Sequence, residues 1–154
     1  MENYSYILKQ LDLKATPKRL AILDILSREL TYLSPEEIWT RLKERFSSIG
    51  LPTVYRNLEE MAGGGIIFKV IHPDRKLYYF FCHNKDHHHH FVCTACKKVD
   101  DLQYCAFDQI EKEVSEILKA TISSHIMQVF GICSECRRNA PGSARKIKGP
   151  VSSK

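Results

Sequence analysis

Two cysteine pairs at C-x2-C spacing, Cys93/Cys96 and Cys133/Cys136, stand 36 residues apart. Each tight turn can aim two thiolates at one ion, and two such pairs complete the tetrahedral four-thiolate shell that Zn2+ favours. With every position filled by protein, no place remains for water or substrate, so the predicted site is structural. A thioredoxin-like redox motif needs one C-x-x-C and leaves the second unexplained. Two disulfides would need oxidising surroundings, and no signal-peptide pattern opens the chain. Reduced thiols used as metal ligands fit better.

A second concentration of donors lies just upstream. Residues 82–96, CHNKDHHHHFVCTAC, hold five histidines and three cysteines. The tract runs into HFVC, which reads as a strand. Side chains alternate across a strand, so His88 and His90 share one face while His87 and His89 share the other. One tract can thus serve two sites back to back, with Asp100, Asp101, Asp108 and His125 as further donors downstream. The bland alternative is a solvated polar connector. Cys105 has no such company and reads as a buried, inert thiol.

These donors must be held by elements that the pattern also predicts. Thr16-Pro17 offers an N-cap and a proline at the first helical position, opening TPKRLAILDILSRE. Ser34-Pro35-Glu36-Glu37 adds a capping-box glutamate, with Ile38, Trp39, Leu42 and Phe46 following as one apolar stripe. A third helix is expected from about Pro52 to the run Gly63-Gly64-Gly65, with Val54, Leu58 and Met61 inward and Thr53, Tyr55, Arg56 and Asn57 outward. IIFKVI and LYYFF, joined by HPDRK, read as a β-hairpin. Three helices and a hairpin in that order describe a winged helix-turn-helix, whose third helix enters the major groove. Downstream, HFVC and KKVDDL are short strands. FDQIEKEVSEILKA is an amphipathic helix with Phe107, Ile110, Val114, Ile117 and Leu118 inward, and ISSHIMQVFGIC is a long strand. The fold class is therefore α+β, with a winged helix-turn-helix first, a metal-binding part after the histidine tract and a basic tail (140–154) predicted to be disordered.

The net charge of +5 is confined to one end. Residues 137–154 hold six basic and no acidic side chains, leaving 17 basic and 18 acidic in the rest. Nucleic-acid binding must therefore rest on where particular charges sit. No apolar run spans a bilayer, so a cytoplasmic protein without membrane partner is expected. Zinc deaminases also combine His, Cys and Glu, but their H-x-E and P-C-x-x-C signatures are absent. An enzyme acting on a small-molecule substrate is not expected. A protein-interaction module on a four-cysteine zinc knuckle would explain residues 93–136 but leave the helices and hairpin without purpose.

The blocks TPKR, SPEEIW, GLPTVYRNL, HHHHFVCTAC and FGICSEC, in this order, resemble the ferric-uptake-regulator family of bacterial metal-responsive repressors over about residues 10–139. The resemblance implies a homodimer with a winged-helix domain (1–82) that binds double-stranded operator DNA, a hinge (83–87) and a small α/β dimerisation and metal-binding domain (88–139). Tyr55 and Arg56 would contact bases and backbone, Thr53 backbone, and Lys14 and Arg19 phosphate or the adjacent minor groove. It also implies a sensor site at the hinge, for which His88 and His90 match two ligands. Tyr32 and Phe68 stand where relatives have ligands, and Cys82 stands where iron and peroxide sensors have a carboxylate. That cysteine resembles the zinc-uptake-regulator branch. The shell would be completed by Asp101, with His72 and His83 as alternatives. A further family site matches His87, His89, Asp108 and His125, with Asp where Glu is more usual. The expected cofactors are structural Zn2+ and a regulatory divalent ion, Zn2+ first and Fe2+ or Mn2+ second. A metal-dependent repressor of metal homeostasis is the function implied.

Overall fold

The computed structural model describes residues 4–84, 86, 88–105 and 107–139. His87 and the tail 140–154 lie outside the described residues. Four helices come first, α1 (Tyr4–Gln10), α2 (Pro17–Ser27), α3 (Pro35–Lys43) and α4 (Leu51–Gly63). An antiparallel hairpin follows, β1 (Ile67–Ile71) and β2 (Leu77–Phe81). The remainder is β3 (His89–Cys93), β4 (Val99–Leu102), α5 (Phe107–Glu116), β5 (Gln128–Gly131) and α6 (Ser134–Asn139). The second sheet has the order β4-β3-β5, with β3 antiparallel to β4 and parallel to β5.

The local signals do what their chemistry requires. The Thr16 side chain accepts from the Arg19 amide, and Ser34 and Glu37 close a reciprocal capping box at the start of α3. Gly65, at a positive φ of 73°, turns the chain out of α4 toward β1. Leu23, Leu26, Ile38, Leu42, Val54, Leu58 and Met61 form the helical core. Helix α1 was not expected from the pattern; its Leu8 is fully buried in the same core.

Strand β2 explains its own unbroken apolar sequence. Tyr79 and Phe81 pack into the helical core, whereas Tyr78, Phe80 and Cys82 pack into a second core with Val92, Val99 and Phe130. The period of two sends alternate side chains to opposite faces, and both faces are covered. The second core is the seam between the wing and the C-terminal sheet.

Two expectations about the C-terminal half are corrected. The long strand shrinks to Gln128–Gly131, because only these residues find a partner in β3. The expected inward face of the amphipathic helix is largely outward: Ile110 in α5, and Ile117 and Leu118 just past its end at Glu116, are 52%, 70% and 67% exposed. Phe107 stacks on His125 and Val114 is half-buried, but among the described residues Ile110, Ile117 and Leu118 stay exposed.

Candidate metal centres and nucleic-acid interface

Cys82 follows β2 directly, and its thiol faces the seam. Its Sγ lies 3.1 Å from His88 Nε2, which lies 2.9 Å from His90 Nε2. An Asp101 carboxylate oxygen stands 3.7 Å from His88 Nε2 and 4.0 Å from the thiol. One ligand atom from each of the four lies within 4.8 Å of every other. Antiparallel pairing delivers the carboxylate, because His90 and Asp101 are Cα partners across β3 and β4. Asn84 donates to the other Asp101 oxygen at 2.8 Å, and the backbone carbonyl of Asp86 lies 2.6 Å from His88 Nδ1. Contacts of this kind orient donors around a metal. Burial, reinforced by neighbouring His88, pushes the His90 pKa down to about 4, which leaves a neutral imidazole at pH 7. Phe68 and Phe80 pack their rings on His90.

The alternatives to Asp101 lie outside this cluster. His72 sits at the turn end of the hairpin, beyond Ile71, while Cys82 is at the open end. Five strand residues separate the two ends by roughly 17 Å. Its Nδ1 instead lies 2.9 Å from Asp74 Oδ1. His83 is exposed and packs its ring on Phe81. Tyr32, at a place where the resemblance implied a ligand in other members, is buried against Tyr78 and His72.

The four cysteines of the two C-x2-C pairs meet in a second cluster within the same 4.8 Å limit. Tetrahedral Zn–S bonds of about 2.3 Å place sulfurs about 3.8 Å apart. The Cys96 and Cys133 sulfurs are 3.8 Å apart. The Cys133 amide donates to Cys93 Sγ at 3.3 Å, and the Cys136 amide to Cys133 Sγ at 3.5 Å. Burial pushes the Cys93 thiol up, but the amides of Cys96, Cys133 and Ala95 outweigh it and bring its pKa to about 6. The donor set fits a closed zinc shell that joins the end of β3 to the segment after β5.

On the other face of β3 the site implied by the resemblance forms differently. His89 and His125 come together with Nε2 atoms 3.4 Å apart, but their third neighbour is Cys105, at 3.6 Å from His125 Nε2. Asp108, in the first turn of α5, is exposed and outside the cluster. The expectation of a buried Cys105 is corrected with it: the thiol is half-buried and lies beside two imidazoles. Asp108 lies within the first turn of α5, whereas Cys105 lies in the connection ahead of it. The signal available in the sequence was a soft donor three residues ahead of Asp108.

Of the five residues named for DNA, four lie on or near one surface. Thr53, Tyr55 and Arg56 occupy the first turns of α4, and Lys14 is exposed just before α2. Tyr55 donates to Glu36 at 2.8 Å, and Arg56 pairs with Glu60 at 3.3 Å while its side chain stays 80% exposed. Arg19 differs. It is only 8% exposed, donates to Asn57 Oδ1 at 3.1 Å and the Lys14 carbonyl at 2.9 Å, and pairs with Glu60. It braces α4 from behind rather than presenting a free guanidinium. Asn57, expected outward, is buried as its partner.

A model of the ferric uptake regulator family matches residues 10–130. The chain belongs to the ferric uptake regulator family. A ferric uptake regulation protein of Staphylococcus epidermidis is 36% identical over 134 residues, covering 87% of this chain and 94% of its own. The crystal structure of the Vibrio cholerae ferric uptake regulator superposes with a TM-score of 0.61 at 30% identity, over 85% of this chain and all of that one. A zinc uptake regulator bound to zinc and DNA shares the fold, with a TM-score of 0.74 at 23% identity over 88% of this chain and 91% of its own. The function shown at this level is metal-responsive transcriptional regulation. Among the described residues no helix is long and apolar enough to cross a membrane.

In this ferric-uptake-regulator chain the four-cysteine loop also touches the winged helix. Lys97, at a positive φ of 66°, presents its carbonyl to the Tyr32 amide at 3.1 Å. Its ammonium pairs with Glu37 Oε1 at 2.8 Å, while Glu37 Oε2 accepts from the Ser34 amide. The capping-box glutamate thus serves helix and seam together. Partial burial raises the Glu37 carboxyl pKa, but Lys97 and the Ser34 amide outweigh it and hold it below the usual range. Nothing in the spacing of Lys97 foretold this role.

Proposed function

We propose that this chain is a homodimeric, zinc-responsive repressor of metal homeostasis that acts in the cytoplasm and grips operator DNA when its hinge cluster is loaded. The observation that carries the reading is the convergence of Cys82, His88, His90 and Asp101 where wing and C-terminal sheet meet. A bound ion would supply a cross-link between these two parts. A thiolate with two imidazoles is softer than a shell of carboxylates and water, which favours Zn2+ over Mn2+ or Fe2+. The name of the staphylococcal relative supports iron as the second reading. Titrating Zn2+, Mn2+ and, without oxygen, Fe2+ against the binding of a duplex selected from genomic fragments separates them. Zn2+ should drive binding at the lowest free concentration; Fe2+ or Mn2+ doing so overturns the zinc assignment.

The rest of the mechanism belongs to the chain. Cys82 ends the winged part (1–82), residues 83–87 form the hinge, and His88 and His90 begin the second part (88–139). Drawing these donors together holds the wing against the sheet. In a dimer that posture sets whether two α4 helices meet major grooves one helical turn or a multiple of it apart. Thr53, Tyr55, Arg56 and Lys14 would then contact duplex, and Arg19 would support them.

Two further features support the dimer and the posture. Ile110, Ile117 and Leu118, on and just past α5, are exposed in the single chain, and burying each large aliphatic side chain contributes roughly 1.5–3 kcal/mol. Ile117→Asp should weaken dimerisation roughly 100-fold or more, because two-fold symmetry repeats the loss. Analytical ultracentrifugation over a range of concentrations reads this, and an unchanged dimer would remove α5 from the interface. Lys97→Ala should loosen the docked wing. Both partners of its ion pair are 40% exposed, so the effect is modest, about 2- to 5-fold in operator affinity with bound zinc unchanged.

A further inference from the structure

We infer that Cys105 is a metal donor, and that with His89 and His125 it makes a thiolate-containing cation site, selective for Zn2+ and other thiophilic ions, on the opposite side of β3 from the hinge cluster. The separations suit such an ion. Zn–S of about 2.3 Å and Zn–N of about 2.05 Å at tetrahedral angles place sulfur and nitrogen about 3.6 Å apart and two nitrogens about 3.3 Å apart. The Cys105–His125 and His125–His89 separations are 3.6 and 3.4 Å. Sixteen and twenty residues of chain separate these groups, and three different elements deliver them: β3, the connection from β4 to α5, and the segment ahead of β5.

The rings are held for the purpose. His89 is buried within β3 at 4% exposure. The His125 ring stacks on Phe107, with centroids 4.5 Å apart and planes inclined by 19°, and its Nε2 faces both other donors. The family resemblance alone would put the Asp108 carboxylate here and admit hard ions. Among the described residues a thiolate in its place makes the set two imidazoles and one sulfur, which disfavours Mn2+ and Mg2+. The elements joined have little packing of their own, since α5 buries no residue and residues 119–127 form no regular structure. Closing the site therefore orders the face that carries Ile110, Ile117 and Leu118.

This inference rests on its own geometry, and its test does not use operator binding, so it stands or falls apart from the hinge reading. The probe is Co2+, added to full-length protein that retains its four-cysteine zinc, in the Cys82→Ser background where the hinge has lost its thiolate. One equivalent should bind with a thiolate-to-cobalt charge-transfer band in the near ultraviolet. Adding Cys105→Ser should abolish the band, and adding Asp108→Asn should leave it. A band that survives Cys105→Ser, or no band in Cys82→Ser, overturns the assignment. In the unmodified chain, saturating Zn2+ should slow alkylation of Cys105 at least tenfold by peptide mass spectrometry. Equal rates with and without Zn2+ also overturn it.

Discussion

Cys82→Ser should leave the protein folded and dimeric but remove the zinc dependence of operator binding. The side chain is buried at the end of the seam, and serine is nearly isosteric, so packing there changes little. A serine hydroxyl can keep a hydrogen bond to His88 but is a neutral, hard donor where the thiolate was a charged, soft one. Of the four converging groups, only the thiol belongs to the wing side of the hinge. Removing it leaves His88, His90 and Asp101, all carried by or next to the C-terminal sheet, with nothing to grip across the junction. Coupling between two ligand sites is typically 1–3 kcal/mol, so the wild-type protein should gain roughly 5- to 150-fold in operator affinity on zinc addition. The variant should gain almost none. Fluorescence anisotropy with labelled duplex reads this, at one fixed salt concentration because phosphate contacts make affinity steeply salt-dependent. A variant that keeps the full zinc response sinks the hinge assignment while leaving family membership intact.

Cys93→Ser should have the larger structural consequence. Cys93 is wholly buried, accepts from the Cys133 amide, and ends the strand that pairs with both β4 and β5. Structural zinc in small domains contributes on the order of 10–16 kcal/mol at pH 7, comparable with or above the whole stability of a domain. Losing one of four thiolates opens the shell, and β5 and α6 lose their tie to β3. The expected outcome is loss of one zinc equivalent by elemental analysis, together with fast amide exchange throughout β3, β4 and β5. Helices α2–α4 should remain protected, because their core is separate from the seam. Full zinc content with unchanged exchange would show that the cluster is not the structural centre. The two variants are thus distinguishable: one loses response, the other loses a fold.

What could be read from the sequence was what short spacing controls. Thr16-Pro17 and the Ser34–Glu37 capping box mark helix starts within four residues, and each formed as expected. The hairpin followed from two β-rich runs around a turn. Each C-x2-C needs only one tight turn to aim its sulfurs, so the four-cysteine cluster was visible before any fold. Family membership followed from several such blocks in order.

Tertiary structure decided everything that depends on register, reach or a distant partner. Asp101 rather than His72 or His83 joins the hinge cluster because β4 pairs with β3 so that Asp101 faces His90. Cys105, in the connection ahead of α5, meets His89 and His125, whereas Asp108 in the first turn of α5 is exposed and outside the cluster. Arg19 turned inward because Asn57, Glu60 and the Lys14 carbonyl surround it. Lys97 became a link because its loop lands on Tyr32 and Glu37, sixty residues and more away. A linear sequence states which donors exist and how near neighbours must turn; which of them share one small volume is set by long-range strand pairing and packing, and no local spacing encodes that.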